Sequence, residues 1–158
     1  MALSSVIPGI RHPLLAALLG ASLLAACSSA PPPAADLPHR EAVLETALGQ
    51  IGRPYRYGGG DGDGFDCSGL VQYVFDQAGV PMPRTASLQY ERGNAIDSQY
   101  AAPGDLVFFR IDGRLHVAIY VGDGRFIHAP ASGQDVTLAA INSPYWQQHL
   151  VSVVRVLR

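Results

Sequence analysis

The hydrophobic pattern of this 158-residue chain changes period along its length, and that change limits the fold more than any other feature. Before residue 80, apolar residues recur at the spacing of amphipathic helices, whereas after residue 105 they form short runs bounded by Asp-Gly turns. Helices followed by hairpin-linked strands predict an α+β fold, with N-terminal helices packed on a C-terminal antiparallel β-sheet.

The helical half contains two apolar stripes. We expect the first helix to begin at Asp36 or Pro38 and to end at Gly52, and the second to end at Gly79. The second stripe begins directly after Cys67, so this cysteine is predicted to stand at the start of a helix, with Asp66 as the N-cap. The stripes consist of Val43, Leu44, Ala47, Leu48 and Ile51, and then of Leu70, Val71, Val74, Phe75 and Ala78.

The short apolar runs of the second half predict strands over residues 106–109, 115–121, 125–129 and 151–157. A three-residue loop at 122–124 would place Val121 opposite Arg125 and would put His128 on the same sheet face as His116, at a diagonal position. A two-residue loop would put the two histidines on opposite faces. Contact between them therefore depends on the register of this hairpin.

The N-terminus is predicted to be an export signal, because its apolar run over residues 14–26 is too short to span a bilayer. The segment 24–28 (LAACS) resembles the lipobox of bacterial lipoproteins, in which the cysteine is acylated, for example with palmitate. We therefore predict a signal peptide over 1–26, lipidation at Cys27, a flexible tether over 27–37 and one folded domain over 38–158. The expected location is the periplasmic face of the outer membrane.

Cys67 is then the one remaining thiol of an exported protein. A small buried hydrophobe is the common fate of a free cysteine, but the start of a helix favours a nucleophile, since the helix dipole and free N–H groups stabilise a thiolate and an oxyanion. Such a nucleophile needs an imidazole partner, for which His116 and then His128 are the candidates. His128 could equally be a structural histidine, and all three residues together could bind a metal.

Composition excludes several classes of protein. The net charge of -2 and the lack of a basic block argue against nucleic-acid binding, and the absence of Lys excludes a Schiff base or a phosphate-loop lysine. The Gly-Asp segment is not a calcium loop, because Phe65 and Gln72 occupy ligand positions. No cofactor or metal is expected.

Five segments of the chain, in order, resemble the NlpC/P60 family of bacterial cell-wall cysteine peptidases. These segments are 52–59 (GRPYRYGG), 66–71 (DCSGLV), 103–109 (PGDLVFF), 116–120 (HVAIY) and 126–129 (FIHA). The resemblance implies a papain-like α+β fold and hydrolysis of peptide bonds in the peptidoglycan stem or its crosslinks.

Carried over position by position, the resemblance implies a catalytic set in which Cys67 is the nucleophile, His116 the general base and His128 the residue that orients His116. It further implies substrate-binding or oxyanion-stabilising roles for three residues: Tyr55, Asp66 and Ser68. Arg84 and Gln89 match a further family segment without an assigned role.

Two other functions remain open at this point. Related folds include amidases and acyltransferases that use the same Cys and His, and a lipid-anchored wall-binding protein without activity is also possible. The expected partners are peptidoglycan stem peptides and, through the lipid anchor, a membrane. We expect a monomer with no nucleic-acid partner.

Overall fold

The computed structural model describes residues 36–157, which form an α+β domain of four α-helices, one short 3-10 helix (Ser98–Tyr100) and a six-stranded antiparallel sheet. The predicted signal peptide, Cys27 and nearly all of the tether lie outside the described residues. Within 36–157, no helix is long and apolar enough to cross a membrane.

The helices differ from prediction mainly at their ends. They are α1 (Leu37–Leu48), α2 (Cys67–Gln77), α3 (Ala86–Glu91) and α4 (Pro144–His149), of which α3 and α4 were not predicted. The prediction that α1 continues to Gly52 is wrong, and Ile51, assigned to its buried stripe, is 42% exposed. The chain leaves the helix at Gly49, and the Gly52 N–H then bonds to the carbonyl of Val136, which draws the segment toward the sheet.

The sheet has the order β1-β6-β2-β3-β4-β5. Its strands are β1 (Asn94–Ile96), β2 (Leu106–Ile111), β3 (Arg114–Gly122), β4 (Arg125–His128), β5 (Thr137–Ala140) and β6 (Leu150–Arg155). The four predicted strands are confirmed with small shifts at their ends. The two missed strands, β1 and β5, lie at the sheet edges, are short and are largely exposed, so they carry little hydrophobic pattern.

Both faces of the sheet are covered. Phe108, Val117 and Ile119 pack toward α1 and α2, whereas Val107, Phe109 and Ala118 point to the opposite face, which α4 covers with Trp146. The predicted alternation along β3 is thereby confirmed, and it leaves His116 on the α4 side.

The β3–β4 hairpin departs from the predicted loop. Gly122 pairs with Arg125, so the loop has two residues, Asp123 and Gly124, whose φ angles of 51° and 66° suit an Asp-Gly type I′ turn. A bulge between Tyr120 and Gly122 then shifts the register by one residue. Beyond the bulge the pairing is the one that the three-residue loop predicts, so both histidines share a face.

A buried carboxylate fixes the far end of the sheet. Asp105, directly before β2, accepts hydrogen bonds from Arg40 of α1 at 3.2 Å and from Arg155 of β6 at 2.8 Å. The Asp105 carbonyl also accepts from the N–H of Tyr120 at 2.8 Å. This residue of the PGDLVFF segment therefore joins four elements and has a structural role.

Candidate active site

Cys67 is the first residue of α2, as predicted, and Asp66 is its N-cap. The Asp66 Oδ1 atom accepts a hydrogen bond from the Gly69 N–H at 2.7 Å, which satisfies one free donor of the first helical turn. A side chain at residue 69 would collide with the carbonyl of Gly59, so glycine is required there. This close approach holds the turn that carries the nucleophile against the glycine-rich loop.

An arginine distant in sequence secures the same turn. Arg84 donates to both oxygens of Asp66, at 2.9 and 2.7 Å, and to the Ser68 hydroxyl at 3.0 Å. The fully buried Gln89 donates to the Ser68 carbonyl at 2.9 Å. Arg84 and Gln89, to which the sequence assigned no role, thus position the residues on both sides of Cys67.

The Asp66 carboxylate is ionised. Burial raises its pKa, but the hydrogen bonds from Arg84, Gly69 and Gly58 outweigh this effect and leave the pKa below its ordinary value. The predicted contact of Asp66 with substrate must therefore involve a carboxylate already engaged by Arg84.

The two histidines form a hydrogen-bonded pair. His116 Nε2 lies 2.9 Å from His128 Nδ1, and the rings are nearly perpendicular at 89°. Burial lowers the pKa of His116 from 6.5 to about 4, and burial together with His116 lowers the pKa of His128 to about 3. Both rings are neutral at neutral pH. With the proton on His116 Nε2, its Nδ1 is free to accept another.

A cleft of about 830 Å³ contains most of the predicted site. His128 lies behind it, on an adjoining cavity of about 350 Å³ that His116 also lines. The structure therefore brings all six predicted residues of the domain together, five of them at the main cleft: Tyr55, Asp66, Cys67, Ser68 and His116.

The thiol of Cys67 is only partly exposed, and this changes its expected charge. Burial raises the pKa of Cys67, the N–H of Val117 opposes this less strongly, and the Asp66 charge raises the pKa further. The thiolate expected at the helix start is therefore wrong, because burial outweighs the N–H groups that stabilise the negative charge. Since His116 is also neutral, nucleophilic attack by this sulfur would require transfer of the thiol proton to the imidazole.

Tyr55 contributes a hydroxyl to the cleft. Its N–H bonds to the carbonyl of Gln134 at 2.8 Å, which fixes the backbone beside the nucleophile. Burial, followed by the nearby Cys67 and Asp66, raises the pKa of Tyr55, so the hydroxyl stays protonated and is available as a donor.

Two further observations bear on the alternatives. Over residues 36–157, no group of three or more His, Cys, Asp or Glu side chains is arranged to hold a metal ion. Trp146 is not among the residues predicted from the sequence, and its ring packs edge-on against His128 with centroids 5.0 Å apart.

Comparison with known proteins gives consistent matches. The sequence profile of the NlpC/P60 family matches residues 52–155. Murein DD-endopeptidase MepH of Escherichia coli is 43% identical over 73% of this chain and 45% of its own length. Bifunctional muramidase/DL-endopeptidase CwlT of Bacillus subtilis is 44% identical over 73% of this chain and 36% of its own length. The chain thus spans less than half of either relative.

Solved structures agree with the sequence matches. An NlpC/P60 family protein from Bacillus cereus superposes with a TM-score of 0.71 at 33% identity, covering 81% of this chain and 42% of that one. The peptidoglycan hydrolase RipB of Mycobacterium tuberculosis gives 0.69 at 33% identity, covering 81% of this chain and 69% of that one. Because the family profile matches residues 52–155 and the fold matches that of solved family members, this chain belongs to the NlpC/P60 family.

Proposed function

We propose that this protein is a cysteine peptidase that hydrolyses peptide bonds of bacterial peptidoglycan. The observation that carries this proposal is the meeting, in one cleft, of a thiol at the start of a helix and a neutral imidazole with an imidazole behind it. The similarity to MepH and CwlT, which are both named endopeptidases, supports it.

Acylation begins with transfer of the Cys67 thiol proton to His116 Nδ1 as the sulfur attacks the substrate carbonyl. The charge that develops on His116 is shared with His128, because the His116 Nε2–H donates to His128 Nδ1. The Cys67 N–H, at the start of α2, and the Tyr55 hydroxyl then donate to the oxyanion.

The imidazolium next returns its proton to the leaving amine, and the carbon–nitrogen bond breaks to leave a thioester on Cys67. His116, neutral again, accepts a proton from a water molecule that attacks the thioester, and the acid product leaves with the thiol restored. His128 orients His116 in both steps through the 2.9 Å hydrogen bond.

Digestion of purified sacculi, followed by cleavage of the glycan strands with a muramidase and mass analysis of the muropeptides, tests this proposal. We expect the wild-type protein to change the muropeptide pattern, by loss of crosslinked species or by shortening of stems, and Cys67→Ala and Cys67→Ser to leave it unchanged while keeping the native circular dichroism spectrum. Asp123→Asn, in the exposed β3–β4 turn, is the matched control and should behave as wild type. Activity in the Cys67→Ala protein would disprove the proposal.

The same products identify the bond, which we propose to be the crosslink, on the basis of the DD-endopeptidase relative. Crosslink cleavage converts dimeric muropeptides into monomers with complete stems, whereas cleavage within a stem leaves truncated stems. An amide or transferred acyl group in the products would instead indicate an amidase or acyltransferase.

We further propose that the mature protein is a monomer anchored by lipid at Cys27, on the periplasmic face of the outer membrane. The LAACS segment after the apolar run supports this proposal. Metabolic labelling with palmitate, followed by membrane fractionation and sedimentation of the solubilised protein, provides the test. Cys27→Ser should lose the label and leave the membrane fraction.

A further inference from the structure

The ring of Trp146 is built into the wall around the histidine pair. It lies nearly parallel to His116, with centroids 6.1 Å apart and a 26° angle between planes, and perpendicular to His128 at 5.0 Å. Trp146 thus lies beside both partners of the hydrogen bond that orients His116 in the proposed mechanism.

The position of this ring is fixed from behind. Phe109 of β2 and Phe126 of β4 pack against Trp146 with centroids 4.6 and 4.9 Å away. The short helix α4 is held in turn by the Gln147 side chain, which donates to the carbonyl of Ile141 at 2.8 Å. A six-residue helix would be unstable alone, so these contacts determine where the indole lies.

A cavity of about 350 Å³ lies beside the histidine pair. His116, His128 and Trp146 all line it, yet only 8% of His116 and 4% of His128 remain exposed, because the indole packs beside both rings. Burial is the largest cause of the low pKa of each histidine.

Few charged groups face the pair. Of the described residues lining the two cavities, none makes a hydrogen bond or ion pair with either imidazole apart from the histidines themselves. The titratable or charged residues among them are Tyr55, Tyr57, Asp66, Cys67, Arg110, Asp112, Arg114 and Tyr145. Burial without a paired carboxylate among the described residues is therefore what keeps the rings neutral, since a counterion would instead favour the imidazolium.

We propose that Trp146 is a positioning residue of the active site, which holds the His116–His128 pair in its perpendicular, water-excluded geometry so that His116 is ready to accept the Cys67 proton. This proposal rests on the peptidase function proposed above. The indole acts through the imidazoles, since it lines the cavity of about 350 Å³ behind them and is not among the residues that line the main cleft with Cys67 and Tyr55.

Steady-state kinetics over a range of pH test the proposal. We expect Trp146→Ala to lower kcat by about 10- to 100-fold with little change in KM, because misplacing a catalytic group affects the chemical step. The acid limb of its kcat/KM profile should move to higher pH, since water around the rings favours the imidazolium. Trp146→Phe should restore part of both properties.

Tyr90→Ala is the matched control, because Tyr90 packs on Phe108, on the opposite face of strand β2 from Phe109. It should lower stability without moving the acid limb. An acid limb in Trp146→Ala that coincides with that of wild type would overturn the proposal, whereas lack of cleavage by wild type would overturn the peptidase function.

A readout independent of activity separates the two cases further. NMR titration of the imidazole protons, in a Cys67→Ala background, should show the midpoints of His116 and His128 rising toward 6.5 when Trp146 is replaced by Ala. Unchanged midpoints in a folded Trp146→Ala protein would contradict the inference, whatever the enzyme cleaves.

Discussion

Two regions of this protein bury polar groups in opposite ways. Around Asp105, charges are kept and matched, because Arg40 and Arg155 both donate to a carboxylate that has no exposed surface. Around His116 the charge is removed, because burial holds the pKa of the ring at about 4. Each arrangement avoids an unpaired buried charge, which costs several kcal/mol.

The difference reflects what each region does. The Asp105 cluster links α1, β2 and β6 through two ion pairs. In the proposed mechanism the histidine pair accepts a proton and returns it, and in the described chain no carboxylate lies within 4.0 Å of a ring nitrogen of either histidine. Both regions belong to family segments, so membership of a motif does not distinguish a structural residue from one proposed to be catalytic.

Removal of the charge at Asp105 should have the largest effect on stability. Asp105→Asn leaves the buried Arg40 guanidinium without a counterion and should lower the free energy of unfolding by about 3 to 5 kcal/mol. Urea denaturation measures this, and kcat of the folded fraction should stay near wild type. A loss well below 1 kcal/mol would show that the cluster does not stabilise the fold.

Acidification should lower the stability of the protein through His116. The folded-state pKa of His116, about 4, lies below its unfolded value of 6.5, so the unfolded chain binds the proton more tightly. The contribution of His116 to the free energy of unfolding is then constant above pH 6.5 and falls by about 3 kcal/mol as the pH drops to 4. Denaturation of wild type and His116→Asn at several pH values measures it. The variant should have the shallower pH dependence; equal slopes would contradict the assignment.

Asp66 combines features of both regions and gives the smallest expected effect on stability. Its carboxylate is charged and paired, but with a single arginine at the wall of the cleft. Asn is as good an N-cap as Asp, so Asp66→Asn removes mainly the ion pair, worth about 1 kcal/mol or less. We expect kcat/KM on sacculi to fall at least about tenfold, because Cys67 and Ser68 lose their fixed position. Wild-type kcat/KM in this variant would show that the ion pair is dispensable.

The sequence by itself determined the features that depend on near neighbours. The start of α2 at Cys67, the Asp66 cap and the side of β3 that carries His116 follow from capping and from alternation along a strand. Each of these depends on residues only a few positions apart, and the prediction holds for each.

Only the tertiary structure decided the rest. The bulge in the β3–β4 hairpin, the bond from Arg84 to Asp66 across 18 positions, and the packing of Trp146 on the histidines have no local signal. The protonation of Cys67 and His116 was decided there as well, since burial is a property of every element packed around a group. A pattern of residues specifies which groups are available, whereas the surrounding fold sets their distances and their charge.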